Sequence, residues 1–201
     1  VQDYVRTYGG HTVETDDFRR MMEKHSGRSL VKFFDQWIHS KGYPALKVSF
    51  AYDAEKREGT VEIEQTQVDE KEGIPAFEID LEVGWVVDGK LQMQTVEVRE
   101  KKHLVIVPMA KDPEQVRIDP HGKVLHKLDF NPGDGKLKAQ LTGAEDVIGR
   151  ILAGRELAKT ARDRNLEAVR AAYRGEKFWG VRKEWAAALA RAGTAAAVEA
   201  L

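Results

Sequence analysis

The chain has 201 residues, 42% of them hydrophobic and 32% charged, which is typical of a folded globular protein with one large domain or two small ones. Its formal net charge of −1 gives no electrostatic reason to expect nucleic acid as a general partner, and no apolar run approaches the roughly 18 residues that a membrane-spanning helix needs. Without cysteine, the chain cannot form disulfides, thiolate nucleophiles or cysteine-ligated metal sites. These properties leave the localisation open between cytoplasmic and periplasmic or extracellular.

Residues 1–45 are predicted to begin with two short helices. The end of one helix is followed by a Gly9-Gly10 turn, and Thr15 is expected to cap the second. Helical spacing predicts one apolar stripe on the second helix, in which the histidine is expected to be partly buried: Phe18, Met21, Met22 and His25. Because such helices expose more apolar surface than they can cover among themselves, we expect them to pack on another domain.

A third, aromatic helix is predicted between Ser29, which is expected to cap it, and the Gly42-Tyr43-Pro44 break that ends it. Five large apolar residues follow helical spacing and are expected on one buried face: Leu30, Phe33, Phe34, Trp37 and Ile38. Emptying that site by Trp37→Ala is then expected to cost roughly 3 to 5 kcal/mol. Extended chain follows, so residue 45 is the predicted end of this first unit.

Residues 46–141 are predicted to form an antiparallel β-sandwich of immunoglobulin-like size. Apolar and polar residues alternate in three segments, Leu46–Tyr52, Thr60–Glu64 and Phe77–Val87. Asp88-Gly89 is a strong hairpin signal, and a change of apolar phase after it predicts a bulge or a switch between sheets near Thr95. Further strands are expected in the segments HLVIVP, QVRID, VLHKLDF and KLKAQL.

Residues 142–201 are predicted to be helical. A capping-box pattern from Thr142 to Glu145 opens the first helix, and Asn165 is expected to cap the second. A third helix is expected from Phe178 to Ala192, and a fourth from Thr194. Short successive helices of this kind are typical of HEAT-like repeats. The predicted fold class is therefore multi-part α+β, with a short helical stub, a β-sandwich and the start of a helical array.

The titratable side chains give no catalytic or metal-binding pattern. The six histidines include no pair at i, i+4 on a helix: His11, His25, His39, His103, His121 and His126. His121 and His126 lie near Asp119, but Asp-Pro-His-Gly is better explained as a turn. A group of acidic residues is expected on a solvated surface without the apolar cleft that acid–base catalysis needs: Glu62, Glu64, Asp69, Glu70 and Glu72. No catalytic, cofactor-binding or metal-binding residue is assigned.

Phe178, Trp179 and Trp185 raise a different hypothesis, an exposed aromatic platform for a ligand. The cations that would surround it are Arg174, Lys177, Arg182 and Lys183. Inward helical spacing, however, is shared by Phe178, Val181, Trp185 and Leu189. Packing in the helical core is therefore the favoured interpretation of these aromatic residues.

Two stretches of the chain resemble the end of the catalytic domain in membrane alanyl aminopeptidase-type zinc metallopeptidases, the gluzincin aminopeptidase family. They are Thr15–Gly27, T-D-D-F-R-x-M-M-E-x-x-S-G, and Phe33–Pro44, F-F-D-Q-W-I-x3-G-Y-P. Gln65-Thr66-Gln67 and Arg117–Pro120 are similar to recurrent phrases of the β-sandwich that follows in that family. The resemblance implies the end of a thermolysin-like domain, a β-sandwich and a helical C-terminal domain, in that order.

The residues responsible for the family's chemistry have no counterpart in this sequence. The resemblance implies zinc held by H-E-x-x-H and a later Glu, a G-x-M-E-N loop for the amino terminus of the peptide, and a Tyr, and none of these maps onto the chain. Zinc and peptide substrates are therefore expected of the parent protein, the longer polypeptide that would contain this chain. The catalytic domain of that parent is the expected partner, and no cofactor is expected in the chain itself.

Two functions stay open. The first is the non-catalytic C-terminal portion of a zinc-dependent aminopeptidase that removes N-terminal residues from peptides. The second is a non-catalytic scaffold or interaction module with the same β-sandwich and HEAT-like architecture, since helical arrays present broad binding surfaces. An upstream H-E-x-x-H motif would distinguish the two.

Overall fold

The computed structural model describes residues 1–193, which form a mixed α+β structure. Seven α-helices lie in this part of the chain: α1 (Gln2–Tyr8), α2 (Thr15–Ser26), α3 (Val31–Phe34), α4 (Asp134–Gly143), α5 (Val147–Lys159), α6 (Asp163–Gly175) and α7 (Trp179–Ala192). Helix α3 continues directly as a π-helical turn, Asp35–His39. The helix predicted from Thr194 lies outside the described residues.

The strands between α3 and α4 form two open sheets. They are β1 (Ala45–Asp53), β2 (Glu58–Gln65), β3 (Ile79–Val87), β4 (Lys90–Val98), β5 (Lys102–Pro108), β6 (Gln115–Ile118) and β7 (Lys127–Phe130). One sheet has the order β5-β2-β1-β7 and the other has the order β4-β3-β6. Neighbouring strands are antiparallel except for β7, which runs parallel to β1. The prediction of antiparallel strands is therefore confirmed, with one parallel pair added at an edge.

The two sheets share one cluster of buried apolar side chains. Alternate residues of β1 and β2, such as Leu46, Val61 and Ile63, are at most 2% exposed. They belong to the same cluster as Leu81 and Val83 of β3. Each fully buried side chain of this size contributes roughly 1.5 to 3 kcal/mol. The shared cluster is therefore the main stabilising element of the sheets.

A second apolar cluster lies among α4, α5, α6 and α7 and includes Trp185. The Trp185 side chain is 1% exposed, and its indole N–H donates to the backbone oxygen of Arg150 at 2.9 Å. A Cβ at Gly154 would lie only 2.2 Å from the indole nitrogen. Glycine at this position of α5 therefore makes room for the large side chain from α7.

The Asp88-Gly89 hairpin is confirmed, since Asp88 has φ 51° and Gly89 has φ 69°, the positive values that a two-residue type I′ turn needs. The bulge or sheet switch predicted near Thr95 is wrong, because β3 and β4 keep one register along their whole length and β4 stays in one sheet. The apolar phase changes without a backbone slip because Leu91 and Met93 lie on the outer side of the sheet, where they are 41% and 44% exposed.

The strand predicted in the segment KLKAQL is wrong, because these residues lie in α4. Leu137 and Leu141 are four residues apart and are both buried in the helical cluster. A short segment with apolar residues at alternate positions fits a strand and a helix equally well, so the pattern alone does not distinguish them. The helical region therefore begins at Asp134.

The N-terminal helices begin at caps one residue away from the predicted ones. Glu14 rather than Thr15 precedes α2, and it forms a capping box with Asp17. Leu30 rather than Ser29 precedes α3, with no side-chain cap. Neighbouring carboxylates and hydroxyls compete for the same backbone donors, so the residue types alone do not decide between them.

Two caps predicted in the helical region are also wrong. Thr142 lies inside α4, and Asp146 instead caps α5 by accepting the Gly149 N–H at 2.7 Å. Asn165 lies inside α6 and is fully buried. Its amide donates to the Thr160 hydroxyl oxygen at 2.9 Å, so it ties the helix to the preceding turn.

The aromatic helix does not bury its five predicted side chains on one face. Phe34 is 5% exposed, but Phe33 and Ile38 are 53% and 54% exposed. Trp37 is partly buried against the cluster between the sheets. Hydrogen bonds in the π-helical turn of residues 35–39 run from i to i+5, so α-helical spacing no longer keeps the same side chains on one face.

We expect Trp37→Ala to lower the free energy of unfolding by about 2 kcal/mol, below the roughly 3 to 5 kcal/mol of a fully buried aromatic residue, because Trp37 is only partly buried. Urea denaturation measures this loss. Phe33→Ala, on a more exposed neighbour, is the control and is expected to cost less than about 1 kcal/mol. Equal losses in the two variants would contradict the difference in burial.

Candidate functional site

The N-terminal helices meet the sheets at a seam made by Gln36 and Trp37 with Phe77 and Glu78, the two residues just before β3. The Gln36 Nε2 donates to the Glu78 carbonyl at 3.0 Å, and its Oε1 accepts the Glu78 N–H at 2.6 Å. Trp37 lies against Phe77 with ring centroids 5.2 Å apart. In this N-terminal seam, a side-chain amide takes the place that a neighbouring strand would have beside Glu78.

A row of aromatic rings continues from the N-terminal seam through the three helices. Successive centroids lie 5.2 to 6.4 Å apart in the order Tyr8, Tyr4, Phe18, Phe34, Phe33, Trp37 and Phe77. Aromatic pairs attract one another at about 4.5 to 7 Å. The aromatic row therefore joins α1, α2 and α3 and ends in the core at Phe77, which is 0% exposed.

The same helices also expose apolar side chains to solvent. Four of them are exposed by 43% to 61%: Val5, Val31, Phe33 and Ile38. We call these residues the exposed apolar set. A single exposed apolar residue is ordinary on a protein surface, but the exposed apolar set puts four of them on α1, α3 and the π-helical turn, and we treat it as a candidate interaction site.

A groove of about 950 Å³ lies beside the N-terminal seam. Its apolar lining includes Phe33, Trp37, Ile79 and Leu125. Most of the charged residues around it are paired within the chain, Lys32 with Glu78, Arg99 with Asp80 and Lys123 with Glu82, and Asp35 also lines it. The groove therefore offers apolar walls and mostly paired charges.

A second seam, the C-terminal seam, joins β6 to α5 through Arg117 and Asp146. The Arg117 side chain is 7% exposed and donates to both carboxylate oxygens of Asp146, at 2.6 and 2.9 Å. Burial raises the pKa of the Asp146 carboxyl, but the bonds from Arg117 and from the Gly149 N–H outweigh it, and the pKa lies below its usual range. One carboxylate thus caps α5 and neutralises a buried cation.

His121 and His126 reach carboxylates, but different ones. The Nδ1 of His121 lies 2.7 Å from Glu82, and that of His126 lies 3.7 Å from Asp119. Asp119 also accepts two backbone N–H groups of the following turn. The hydrogen bond from Lys123 lowers the pKa of the Glu82 carboxyl, against the effect of burial, and His121 lowers it further. Glu82 is therefore a buried structural anion rather than a general acid.

The other histidines are dispersed. His25 is exposed and lies 2.9 Å from Asp3, so its predicted partial burial is wrong. His11 and His39 are exposed, and His103 lies on β5. Within residues 1–193, no three His, Asp or Glu side chains are grouped as metal ligands.

The acidic residues after β2 stabilise a turn. The Asp69 carboxylate accepts the backbone N–H groups of Lys71 and Glu72 at 2.9 and 3.2 Å. Glu62 is exposed on β2, and Glu70 is exposed in the same turn as Asp69. This arrangement supports the interpretation of a solvated surface.

The aromatic residues near the start of α7 lie in two environments. Trp185 is 1% exposed and packs as predicted, whereas Trp179 is 70% exposed and Phe178 is 42% exposed. The packing prediction is therefore wrong for Phe178 and Trp179. Inward spacing applies only from Val181 onward, because Phe178 precedes the helix as its N-cap residue.

The side-chain pairings that form the two seams were not predicted from the sequence. Gln36 and Glu78 are 42 positions apart, and Arg117 and Asp146 are 29 positions apart. One feature points to the pairing of Arg117. This arginine belongs to a four-residue strand in which every residue is buried, and a buried arginine needs a counter-ion. Asp146, a good N-cap residue directly before an apolar helical run, was the available partner.

Comparison with models of known protein families and with curated proteins finds no match. The fold does resemble part of a solved structure, Legionella pneumophila aminopeptidase A in complex with aspartic acid. The likeness has a TM-score of 0.61 at 14% sequence identity, and it covers 92% of this chain and 20% of that one. At this identity it shows a shared fold, and this chain spans about a fifth of the length of the aminopeptidase.

None of the described helices combines the length and the apolar character that are needed to cross a membrane.

We expect Asp146→Asn to lower the free energy of unfolding at neutral pH by about 2 kcal/mol, since it leaves buried Arg117 without a counter-ion while Asp146 itself is 42% exposed. The folded-state pKa of Asp146 is depressed, so its contribution is complete above the unfolded value of about 3.9 and is lost as the pH falls through the folded value. The difference between wild type and variant should therefore shrink in acid, as measured by urea denaturation across that pH range.

Asp129→Asn is the matched control for this variant. Asp129 is 66% exposed and lies 3.7 Å from Lys159, so its loss should cost less than about 1 kcal/mol. A difference between wild type and Asp146→Asn that stays constant down to about pH 2 would show that the charge of Asp146 does not stabilise the C-terminal seam.

Proposed function

We propose that the chain is the non-catalytic C-terminal portion of a zinc-dependent aminopeptidase, which removes N-terminal residues from peptides. In this proposal α1, α2 and α3 end a thermolysin-like catalytic domain, the two sheets are an immunoglobulin-like β-sandwich, and the helices from α4 onward begin a HEAT-like domain. The observation on which the proposal rests is the likeness to Legionella aminopeptidase A, because it extends over 92% of this chain. A likeness of that extent includes parts of all three units.

The sequence resemblance supports the same assignment from separate observations. The stretch Phe33–Pro44 is similar to the family's sequence where its catalytic domain ends, and it contains Gln36 and Trp37, which build the N-terminal seam. Gln36 and Trp37 thus belong to the stretch that resembles the family, and they also form the contact between the N-terminal helices and the sheets. This agreement favours a shared domain order over a chance resemblance.

The exposed apolar set supports a catalytic domain as the partner of the N-terminal helices. Phe33 and Ile38 leave more than half of their surface in water, at 53% and 54% exposure. Covering an apolar side chain of this size is worth up to roughly 1.5 to 3 kcal/mol. In the parent protein, the remainder of the catalytic domain would provide that cover.

Zinc, which the family resemblance implies, does not fit the residues of this chain. Residues 1–193 hold no group of three His, Asp or Glu side chains placed as ligands, and the sequence has no H-E-x-x-H motif. We therefore assign zinc and the peptide-cleaving groups to other parts of the parent protein. The role proposed for this chain is positional, with the two seams fixing the β-sandwich against the helices on either side.

A non-catalytic interaction module is the second candidate function, and one observation favours it. Trp179 is 70% exposed beside Phe178, with ring centroids 5.9 Å apart. Exposed aromatic pairs of this kind are common in binding surfaces.

The reading frame upstream of the codon for Val1 tests the choice between the two functions. An aminopeptidase parent requires H-E-x-x-H followed by a Glu about one helix later, as zinc ligands and general base. An upstream domain without these residues would overturn the aminopeptidase proposal and favour the interaction module.

In the parent protein, we expect the double change Phe33→Asp and Ile38→Asp to lower the melting temperature by at least about 4 °C, because it places charge where the catalytic domain is proposed to dock. Leu104→Asp with Ile106→Asp is the matched control, since these β5 residues are 57% and 53% exposed. The control should change the melting temperature by less than about 2 °C. Equal shifts for the two pairs would remove the case for docking at the exposed apolar set.

A further inference from the structure

The end of α6 and the beginning of α7 present a surface that the described sheets and helices leave uncovered. It combines two aromatic residues and four cations: Arg174, Lys177, Phe178, Trp179, Arg182 and Lys183. We call it the cationic–aromatic surface. All six residues are exposed, and Trp179 is the most exposed tryptophan of the described chain at 70%. An indole left in water to this extent marks a contact site more often than a packing residue.

Short-range structure holds this surface in shape. The Arg182 N–H donates to the Phe178 carbonyl at 3.2 Å, and the Arg182 guanidinium lies 4.9 Å from the centre of the Tyr173 ring. The Phe178 ring lies over Gly180, where a Cβ would come within 2.7 Å of it. The Phe178 ring and the Arg182 guanidinium are therefore positioned before any partner binds, which lowers the entropic cost of binding.

The four cations have no carboxylate within ion-pair distance in the described part of the chain. The carboxylates nearest in sequence have other partners. Glu176 accepts from Arg150 at 2.8 Å and from the Phe178 N–H at 2.8 Å, and Glu184 accepts from Arg155. Four positive charges within ten residues, none of them ion-paired with a carboxylate of residues 1–193, create a local positive potential in a chain with a net charge of −1.

We propose that the cationic–aromatic surface binds an acidic segment of a separate protein. Trp179 and Phe178 contact an apolar side chain of that segment, and the four cations contact carboxylates on either side of it. Charge complementarity selects the acidic partner, and the exposed rings select a polypeptide with an apolar anchor between its carboxylates. This inference goes beyond the aminopeptidase assignment and does not depend on it.

Nucleic acid and membranes fit this surface less well. A protein that makes about six to ten phosphate contacts spreads its cations along the backbone of the nucleic acid, whereas this surface has four cations around the connection between α6 and α7. A helix that lies on a membrane presents an apolar face along its length. Here Val181, Trp185 and Leu189 of α7 are buried in the helical cluster, so that side of the helix is already covered.

Fluorescence anisotropy of a labelled peptide, (Glu-Glu-Leu)4, titrated with the 201-residue chain tests the proposal. We expect saturable binding that weakens at least about tenfold when the salt rises from roughly 50 to 500 mM, because the contacts are between exposed charges. The matched peptide (Gln-Gln-Leu)4 should bind at least about tenfold more weakly. Equal binding of the two peptides, or no binding of either, would overturn the proposal.

Variants locate the binding site. Trp179→Ala and the double change Lys177→Gln with Arg182→Gln should each weaken peptide binding at least about tenfold. The controls are Leu125→Ala, which removes another side chain that is 71% exposed, and Lys90→Gln, which removes an exposed cation elsewhere. Both controls should bind as the wild type does. Because the changed residues are exposed, every variant should have a melting temperature within about 2 °C of that of the wild type. If a control variant lost peptide binding as strongly as Trp179→Ala does, this site would be excluded.

Three alternative occupants are tested with the same proteins. Tighter binding of a single-stranded DNA oligomer than of the acidic peptide, with the same loss in Trp179→Ala, would replace the proposal with a nucleic-acid site. Tighter binding to phosphatidylserine vesicles with that loss would replace it with a lipid site. Concentration-dependent dimers in sedimentation velocity that disappear in Trp179→Ala would show that a second copy of the chain occupies the surface.

Discussion

The backbone of Phe77 and Glu78 is the constraint on which the arrangement of the N-terminal half depends. These two residues precede β3, and two glutamine side chains hydrogen-bond their peptide groups. Gln65, which is 0% exposed, accepts the Phe77 N–H and donates to the Phe77 carbonyl, both at 2.8 Å. Gln36 does the same for Glu78 from the other side. Since an unpaired buried peptide group costs about 1 to 3 kcal/mol, the Gln65 amide fixes the chain at buried Phe77, just before β3. The Gln36 amide, bound to the exposed peptide groups of Glu78, marks where the helices attach.

In the C-terminal seam, too, one polar side chain binds groups from two elements, here through an ion pair. Asp146 accepts the Gly149 N–H and both bonds from Arg117, so formation of the first turn of α5 and docking of that helix on β6 depend on one carboxylate. Gly149 is also close to the guanidinium, where a Cβ would lie 2.7 Å from the Arg117 nitrogen. The Asp146 carboxylate that caps α5 therefore also sets the orientation of this helix on β6.

The sequence predicts the parts of this structure that depend on local periodicity. Alternation located β1, β2 and β3, and Asp88-Gly89 located the hairpin, because each signal lies within a few residues. The same reasoning gave a strand in place of α4, where a six-residue apolar pattern fits both periods, and it missed the π-helical turn after Phe34. Local periodicity could not predict the two seams of the candidate site. A pairing such as Gln36 with Glu78 spans 42 positions and forms only when the chain is folded.

The division between apolar and polar contacts explains what the seams do for the molecule. The sheets and the later helices each have their own apolar cluster, so neither unit relies on a seam for most of its burial. Apolar packing is tolerant of orientation, whereas a bidentate ion pair or an amide on a peptide group is satisfied in one geometry only. The seams therefore contribute orientation more than they contribute stability. In the described residues, the N-terminal seam lies between the helices that carry the exposed apolar set and the sheets, and the C-terminal seam lies between the sheets and the helices that carry the cationic–aromatic surface.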